Sequence, residues 1–549
     1  MNHLQTIDVL VIVLYFAAVI AVAWWAFRRN SNESESYFLA GRDLGWFAVG
    51  ASLFASNIGS EHLVGLSGTG AASGLAVGHF EWLAALILLL LGWLFVPFYL
   101  KSGVFTMPEF LGRRYNPACR WYFTAISVIG YVLTKISVSL YAGGIIIKEV
   151  AGLDMWVSAG VIVIFTGLYT VIGGLRAVVY TDMLQTVVLL IGSFILVFTG
   201  IGSVGGWSEL VHRSPEGFFS MWKSVSHPQF PWTGIVFGAP ILGIWYWCTD
   251  QCIVQRTLSA KNLGHARGGT ILAGYLKILP VFLFILPGII ARVVFSDMNE
   301  SNSDQALPRI VLHLLSPGMR GLFLAALLAA LMGSLSAVFN SCSTLITWDV
   351  FRKLRPNASE ATLVSVGRWT TVLLAVLGLL WIPFMKYISS QLYVYLQSVQ
   401  GYIAPPIAAC FLLGLFISRL NGTGAISSLL VGFVLGFARL GLELANGTDK
   451  SGMPEGSFWE YVAEMNFLHF AAVLFVICSG ILVGVSYLTT PPEKNQLAGL
   501  TWAHRSEGGG PETKAHLAAE VESAQSHRVN VILSVVLVAI MLTLWFWLG

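Results

Sequence analysis

Apolar runs of about 20 residues recur along the whole chain, separated by short polar stretches, and each is long enough to cross a hydrocarbon core of about 30 Å as a helix. About 14 such runs are present, centred on 8–27, 45–66, 79–100, 121–147, 155–174, 182–204, 234–255, 268–295, 320–350, 363–384, 391–418, 423–443, 466–488 and 529–548. The pattern predicts an all-α polytopic membrane protein.

The polar positions inside these runs are the informative ones. In the second span, "ASNIGSEHLVG" (55–65) places Ser56, Asn57, Ser60, Glu61 and His62 between apolar neighbours, with Gly59 and Gly65 to interrupt the helix. In the seventh, "GAPILGIWYWCTDQ" (238–251) sets Pro240 and Gly243 ahead of Trp245, Tyr246, Trp247, Thr249, Asp250 and Gln251. These spans stand five apart, the spacing of corresponding helices in two inverted five-helix repeats, and matched interruptions point to a transport site at the bilayer midplane. Exposed backbone at that depth is tolerable only where it lines a cavity, and its carbonyls can replace a cation's water shell.

A charge at a helix centre costs about 2.5–3.5 kcal/mol on insertion scales, so Glu61, His62, Glu81, Lys135, Asp182, Asp250 and Lys277 each ask for a compensating role. Bland roles compete. Lys135 can snorkel or pair within the bundle, Asp182 sits where it would cap a helix start, and Glu61 would face an outer vestibule. The ninth span carries "LMGSLSAVFNSCST" (331–344), crowded with small hydroxyls. Two readings stand for it: close helix packing, and neutral oxygens for a hard monovalent cation.

Composition narrows the class. Of 549 residues 56% are hydrophobic and 11% charged, with a mean hydropathy of +0.75, against about 25% charged in soluble domains. The net charge of +3 gives no case for nucleic acid. Cys119, Cys248, Cys252, Cys342, Cys410 and Cys478 lie mostly in apolar segments; Cys248 and Cys252 share a helix face, but no further ligands complete a metal site. With the N-terminus outside, inner stretches collect about 20 Lys and Arg against about nine outside, so both termini are expected outside. The sequon at Asn32 and its four counterparts scatter across both sides and read as chance. Short inserts without disulfide-bearing loops suggest a bacterial inner membrane.

The segments "YFLAGRDLGWFAVGASLFASNIGSEHLVGLSGTGAASGLAVGHFEW", "GGLRAVVYTDMLQT", "WYWCTDQCIVQRTLSAKN", "GYLKILP", "FNSCSTLITWDVF" and "YIAPPIAA", in this order, closely resemble the sodium/glucose cotransporter branch of the sodium:solute symporters. The resemblance runs from about Tyr37 to the twelfth and thirteenth spans. It implies a LeuT-type 5+5 inverted repeat: a flanking helix and loop over 1–44, repeats over 45–204 and 234–418 joined by an outer loop at 205–233, and flanking helices over 419–549 with a cytoplasmic linker at 489–528. It also implies residue roles. Asn57, His62, Glu81, Tyr246, Trp247, Lys277 and Gln397 fall on the family's sugar-contacting positions, and Gln400 stands where glucose-type members carry a small hydroxyl residue. The sodium ligands would be the carbonyls of Ala55, Ile58 and Ala330 with two adjacent serines. Here those two positions are Gly333 and Ser334, so one hydroxyl is missing. Asp182 and Ser336 match members with a second sodium, but Gly333 and Ala337 deplete that site too, so one sodium per sugar is expected.

The expected protein is therefore a sodium-coupled importer of a hexose, glucose or galactose type, working by alternating access in a plasma membrane. Its partners are sugar, sodium ion and lipid bilayer, without an obligatory protein. Another polyol such as an inositol is the nearest alternative; a sugar-gated sensor or channel without coupled uptake is the other. No nucleophile–base constellation or phosphate loop suggests an enzyme.

Overall fold

The computed structural model describes residues 4–27, 42–59, 61–152, 154–385, 392–447, 452–507 and 522–548. Ser60, the side chain of Glu61, the segment with Arg28, Arg29 and Asn32, and the 508–521 part of the linker lie outside the described residues. Among the described residues the chain is helical with no sheet strand. Helix is the form a single segment can take in lipid while satisfying its own backbone.

Among the described residues eleven helices are long and apolar enough to cross a membrane. They account for eleven of the expected spans, and the other three depart for physical reasons. The second and seventh are broken, as their polar interruptions suggest. The fifth does not end: Met155–Ser203 is one helix of 49 residues, so the reversal expected between 174 and 182 is absent. Gly173 and Gly174 lack a proline or a polar run to take over the backbone bonds. A helical glycine costs only about 1 kcal/mol, less than exposing several peptide groups in an apolar setting. Asp182 consequently lies mid-helix and caps nothing.

The first broken helix runs Trp46–Asn57, opens at Ile58 (φ −74°, ψ 93°), and resumes as a wider-wound turn, Glu61–Leu66, that leads into Ser67–Ser73. The second breaks later than its glycine and proline imply. Pro240 sits in the first turn of Ala239–Gly243, where a missing N–H costs little, and Gly243 continues into the turn Ile244–Thr249. The break falls at Asp250, in extended conformation, whose carboxylate accepts from Cys252 N at 2.9 Å and so caps Gln251–Leu258. Cys248 and Cys252 are thereby separated onto two helices.

Met319–Leu345 is buried along nearly its whole length, and Trp46–Asn57 and Met155–Ser203 pack against it and each other. Thr6–Phe27 and Ala524–Trp547 sit at the periphery and expose Leu10, Leu14, Ile532 and Phe546, an apolar surface suited to lipid. Glycines set the closest approach at the resumed half-helix. A methyl on Gly288 would overlap the Ser67 carbonyl oxygen, and one on Gly70 would lie 2.6 Å from Ile285 O.

Candidate functional site

The break in the first helix frees the carbonyls of its last turn, Ala55 among them, from a continuing ladder. It also leaves Asn57 as the last helical side chain, and Asn57 Nδ2 donates to Tyr246 Oη at 2.8 Å. Tyr246 belongs to the turn that precedes the second break, so this bond joins the two interrupted helices directly. Tyr246 and Trp247 meet edge to face with ring centres 5.1 Å apart.

A second cluster lies on the resumed side of the first break. Lys277 Nζ donates to Glu81 Oε2 at 2.5 Å, and His62 Nε2 lies 3.1 Å from both Lys277 Nζ and Glu81 Oε1. All three side chains are buried, and the ammonium also lies 5.2 Å from the centre of the Trp247 ring. Lys277 reaches the cluster from the end of Leu263–Leu276, three residues before Pro280 removes a backbone donor. A neighbouring pair disposes of two further charges. Lys135 Nζ lies 3.3 Å from both oxygens of Asp250 and 4.3 Å from the Tyr246 ring centre. Of the two roles open to Lys135, pairing is the one found.

Asn57, His62, Glu81, Tyr246, Trp247, Lys277, Gln397 and Gln400 all line one narrow cavity of about 50 Å³, so a small molecule enters it only as these side chains move apart. Amides approach from the first broken helix and from Leu392–Phe416, and rings cover other walls. Sequence reasoning missed Phe80 and Tyr393, which also line it. Tyr393 was within reach, because it stands one helical turn before Gln397 and its hydroxyl accepts from Gln397 Nε2 at 2.7 Å. Phe80 carries no signal that separates it from ordinary apolar packing.

The residues expected around sodium belong to Trp46–Asn57 and the break after it, to Met155–Ser203 and to Met319–Leu345, three helices that pack against one another. Ser334 Oγ donates to Leu331 O at 3.1 Å and Ser336 Oγ to Gly333 O at 2.9 Å, which leaves both hydroxyls their lone pairs for a cation. Ser52 Oγ donates to Asp182 Oδ2 at 3.0 Å, while Asp182 Oδ1 is buried with no hydrogen-bond partner among the described residues, though the Arg256 charge acts on the carboxylate. Carbonyl, hydroxyl and carboxylate oxygens are the donor set of a hard cation. Among the described residues no group of three or more His, Cys, Asp and Glu could hold a metal ion.

Residues 37–432 match the sequence model of the Sodium:solute symporter family. The chain belongs to that family. Sodium is the coupled ion, and the symporter is 40% identical over 561 residues to sodium/glucose cotransporter 1 of Ovis aries, with 95% of this chain and 84% of that one covered. It is 39% identical over 548 residues to the sodium/myo-inositol cotransporter of Homo sapiens, covering 92% and 76%. Its fold is similar to that of a Na+-coupled sialic acid symporter solved in a substrate-bound outward-open state. That match has a TM-score of 0.74 at 21% identity and covers 89% of this chain and 99% of the other.

Proposed function

We propose that this symporter imports a hexose of the glucose or galactose type, one sodium per sugar, by alternating access. The observation that carries the reading is the convergence of amides, aromatic rings and a charge-balanced cluster on one cavity. Asn57, Gln397 and Gln400 can donate to and accept from hydroxyls, Glu81 accepts, Lys277 donates, and Trp247 or Tyr246 offers a face for sugar C–H groups. Lys277 is engaged by Glu81, so a solute carboxylate would meet an already neutralised cation. That favours a neutral polyol over an acidic sugar.

Sodium, held by the carbonyls of Ala55, Ile58 and Ala330 and by Ser334, braces the end of Trp46–Asn57 and so fixes Asn57 toward the sugar. Rocking of one bundle against the other then exposes the site inward. The two breaks stand in corresponding places of 45–204 and 234–418, which supports two inverted five-helix repeats with flanking helices at 1–44 and 419–549. That arrangement requires a reversal near 174–182, which accessibility of single cysteines placed there from the inner side tests against the continuous helix. On the loop charges, both termini lie outside.

One charge moving through about 100 mV contributes about 2.3 kcal/mol, and a tenfold sodium gradient about 1.4 kcal/mol more. Together they support accumulation of roughly 500-fold. Uptake of radiolabelled glucose, galactose and myo-inositol into proteoliposomes, with and without an inward sodium gradient, tests the reading. The myo-inositol relative is nearly as similar as the glucose one, so inositol is the second reading, and preferential inositol uptake would establish it. Sodium currents without uphill accumulation of any of the three would replace both with a sensor or channel.

A further inference from the structure

Gly333 removes a hydroxyl from the position expected to ligate sodium, and the space it leaves is filled. A methyl built on Gly333 would overlap Gln185 Oε1 and lie 3.2 Å from Asp182 Oδ1. Asp182 and Gln185 are three residues apart on Met155–Ser203, so they share the face that looks into this notch. Both are buried.

Two oxygen acceptors therefore point at one small volume. Ser52 occupies Asp182 Oδ2, but among the described residues Asp182 Oδ1 has no hydrogen-bond partner. The buried Arg256 guanidinium already acts on Asp182 through its charge, so what Gln185 adds at the notch is a neutral oxygen beside a carboxylate that is partly balanced. The notch also borders the proposed sodium ligands on two helices. Ser334 is the next residue and Ala330 is one turn back, while Ser52 is one turn before Ala55.

We propose that the Gln185 carboxamide oxygen supplies the ligand that Gly333 cannot, so that the sodium site is closed by Met155–Ser203 rather than by a second hydroxyl of Met319–Leu345. The inference rests on the sodium site proposed above. An amide oxygen is a neutral, hard donor of the kind that side chains contribute to cation sites, and it reaches further than a serine hydroxyl. The glycine is then the condition for the glutamine: a side chain at 333 and the present position of Gln185 exclude each other. The binding site gains a third helix, and sodium would tie Met155–Ser203 to the broken helix as well as to Met319–Leu345.

The test uses the full-length protein, with two readouts: the sodium concentration that half-saturates sugar uptake in proteoliposomes, and equilibrium binding of radioactive sodium to purified protein. Gln185→Ala is expected to raise the half-saturating sodium about tenfold in both, the loss of one ligand to a charge. Gly333→Ser alone is expected to weaken binding through overlap, and Gly333→Ser/Gln185→Ala to recover to within about threefold of wild type. Where Gln185→Ala does not fold, Gln185→Asn, which keeps the amide but shortens its reach, makes the same comparison. Unchanged sodium affinity in the Gln185 variants, or a double variant as weak as Gln185→Ala, overturns the inference. A shift with Ser334→Ala but none with Gln185→Ala overturns it while sparing the sodium site; no sodium binding by wild type removes the site itself.

Discussion

Glu81 and Lys277 provide the sharpest test of the site, because their side chains are only 4% and 1% exposed and the ammonium–carboxylate distance is 2.5 Å. Replacing Glu81 by Gln keeps the volume but takes away the carboxylate that pairs with Lys277 Nζ at 2.5 Å. Removing one member of a buried pair costs about 3–5 kcal/mol, because the survivor keeps its desolvation cost. His62 Nε2, at 3.1 Å, can accept a hydrogen bond but brings no negative charge when neutral. Glu81→Gln should therefore lower stability by about 3–5 kcal/mol, and Lys277→Met by a similar amount through the orphaned carboxylate. The double variant Glu81→Gln/Lys277→Met should recover at least half of either loss, since neither member of the pair then keeps a buried charge. Unfolding of the purified protein in detergent, followed by tryptophan fluorescence without sugar or sodium, gives the cycle independently of transport. A coupling below about 1 kcal/mol, or losses that simply add, would refute the idea that the two charges hold each other in the resting site.

Tyr246→Phe removes the acceptor for Asn57 Nδ2, a bond of about 1 kcal/mol, and should raise the half-saturating sugar concentration about fivefold with little change in sodium dependence. Asp250→Ala removes both the cap of Gln251–Leu258 and the counter-charge of Lys135; a loss of about 3 kcal/mol or more is expected, with Asp250→Asn milder because the amide oxygen can still cap. A thermal melt in detergent ranks the two. Gly288→Ala should cost about 1–3 kcal/mol by driving Leu286–Val294 off the Ser67 carbonyl, whereas Gly480→Ala, which meets nothing within 4 Å, should be neutral in the same melt. The ratio of charge to sugar moved in proteoliposomes should be near one, and a ratio near two would mean a second sodium.

Much of this was legible because lipid makes polar residues conspicuous. Asn57, His62, Glu81 and Lys277 stand in apolar runs that give them no other reason to be there, and they meet in one cavity. Breaks were less legible than the residues around them. Gly243 and Pro240 look like breakers, yet Asp250 breaks the helix, because a carboxylate can replace the lost backbone acceptor and a glycine cannot. The continuation through Gly173 and Gly174 had no local signal either, since helix and turn are both open to glycine. Lys135 and Asp250 were each conspicuous alone, but their pairing joins residues 115 positions apart and had no short-range signature. The notch at Gly333 was visible only as a missing hydroxyl; what filled it lay on another helix.

The cluster of His62, Glu81 and Lys277 has a consequence for how the site chooses what it accepts. Under the proposed function a solute meets charges that already engage one another, so its binding is an exchange of partners rather than the filling of a deficit. An incoming molecule must return to each displaced group a hydrogen bond as good as the one it gives up. A solute lacking a hydroxyl at one of those places would leave a buried donor or acceptor stranded, and sites of that kind reject such analogues by factors of about 10⁴. Selection would then act through what a poor solute fails to replace, more than through what a good one adds.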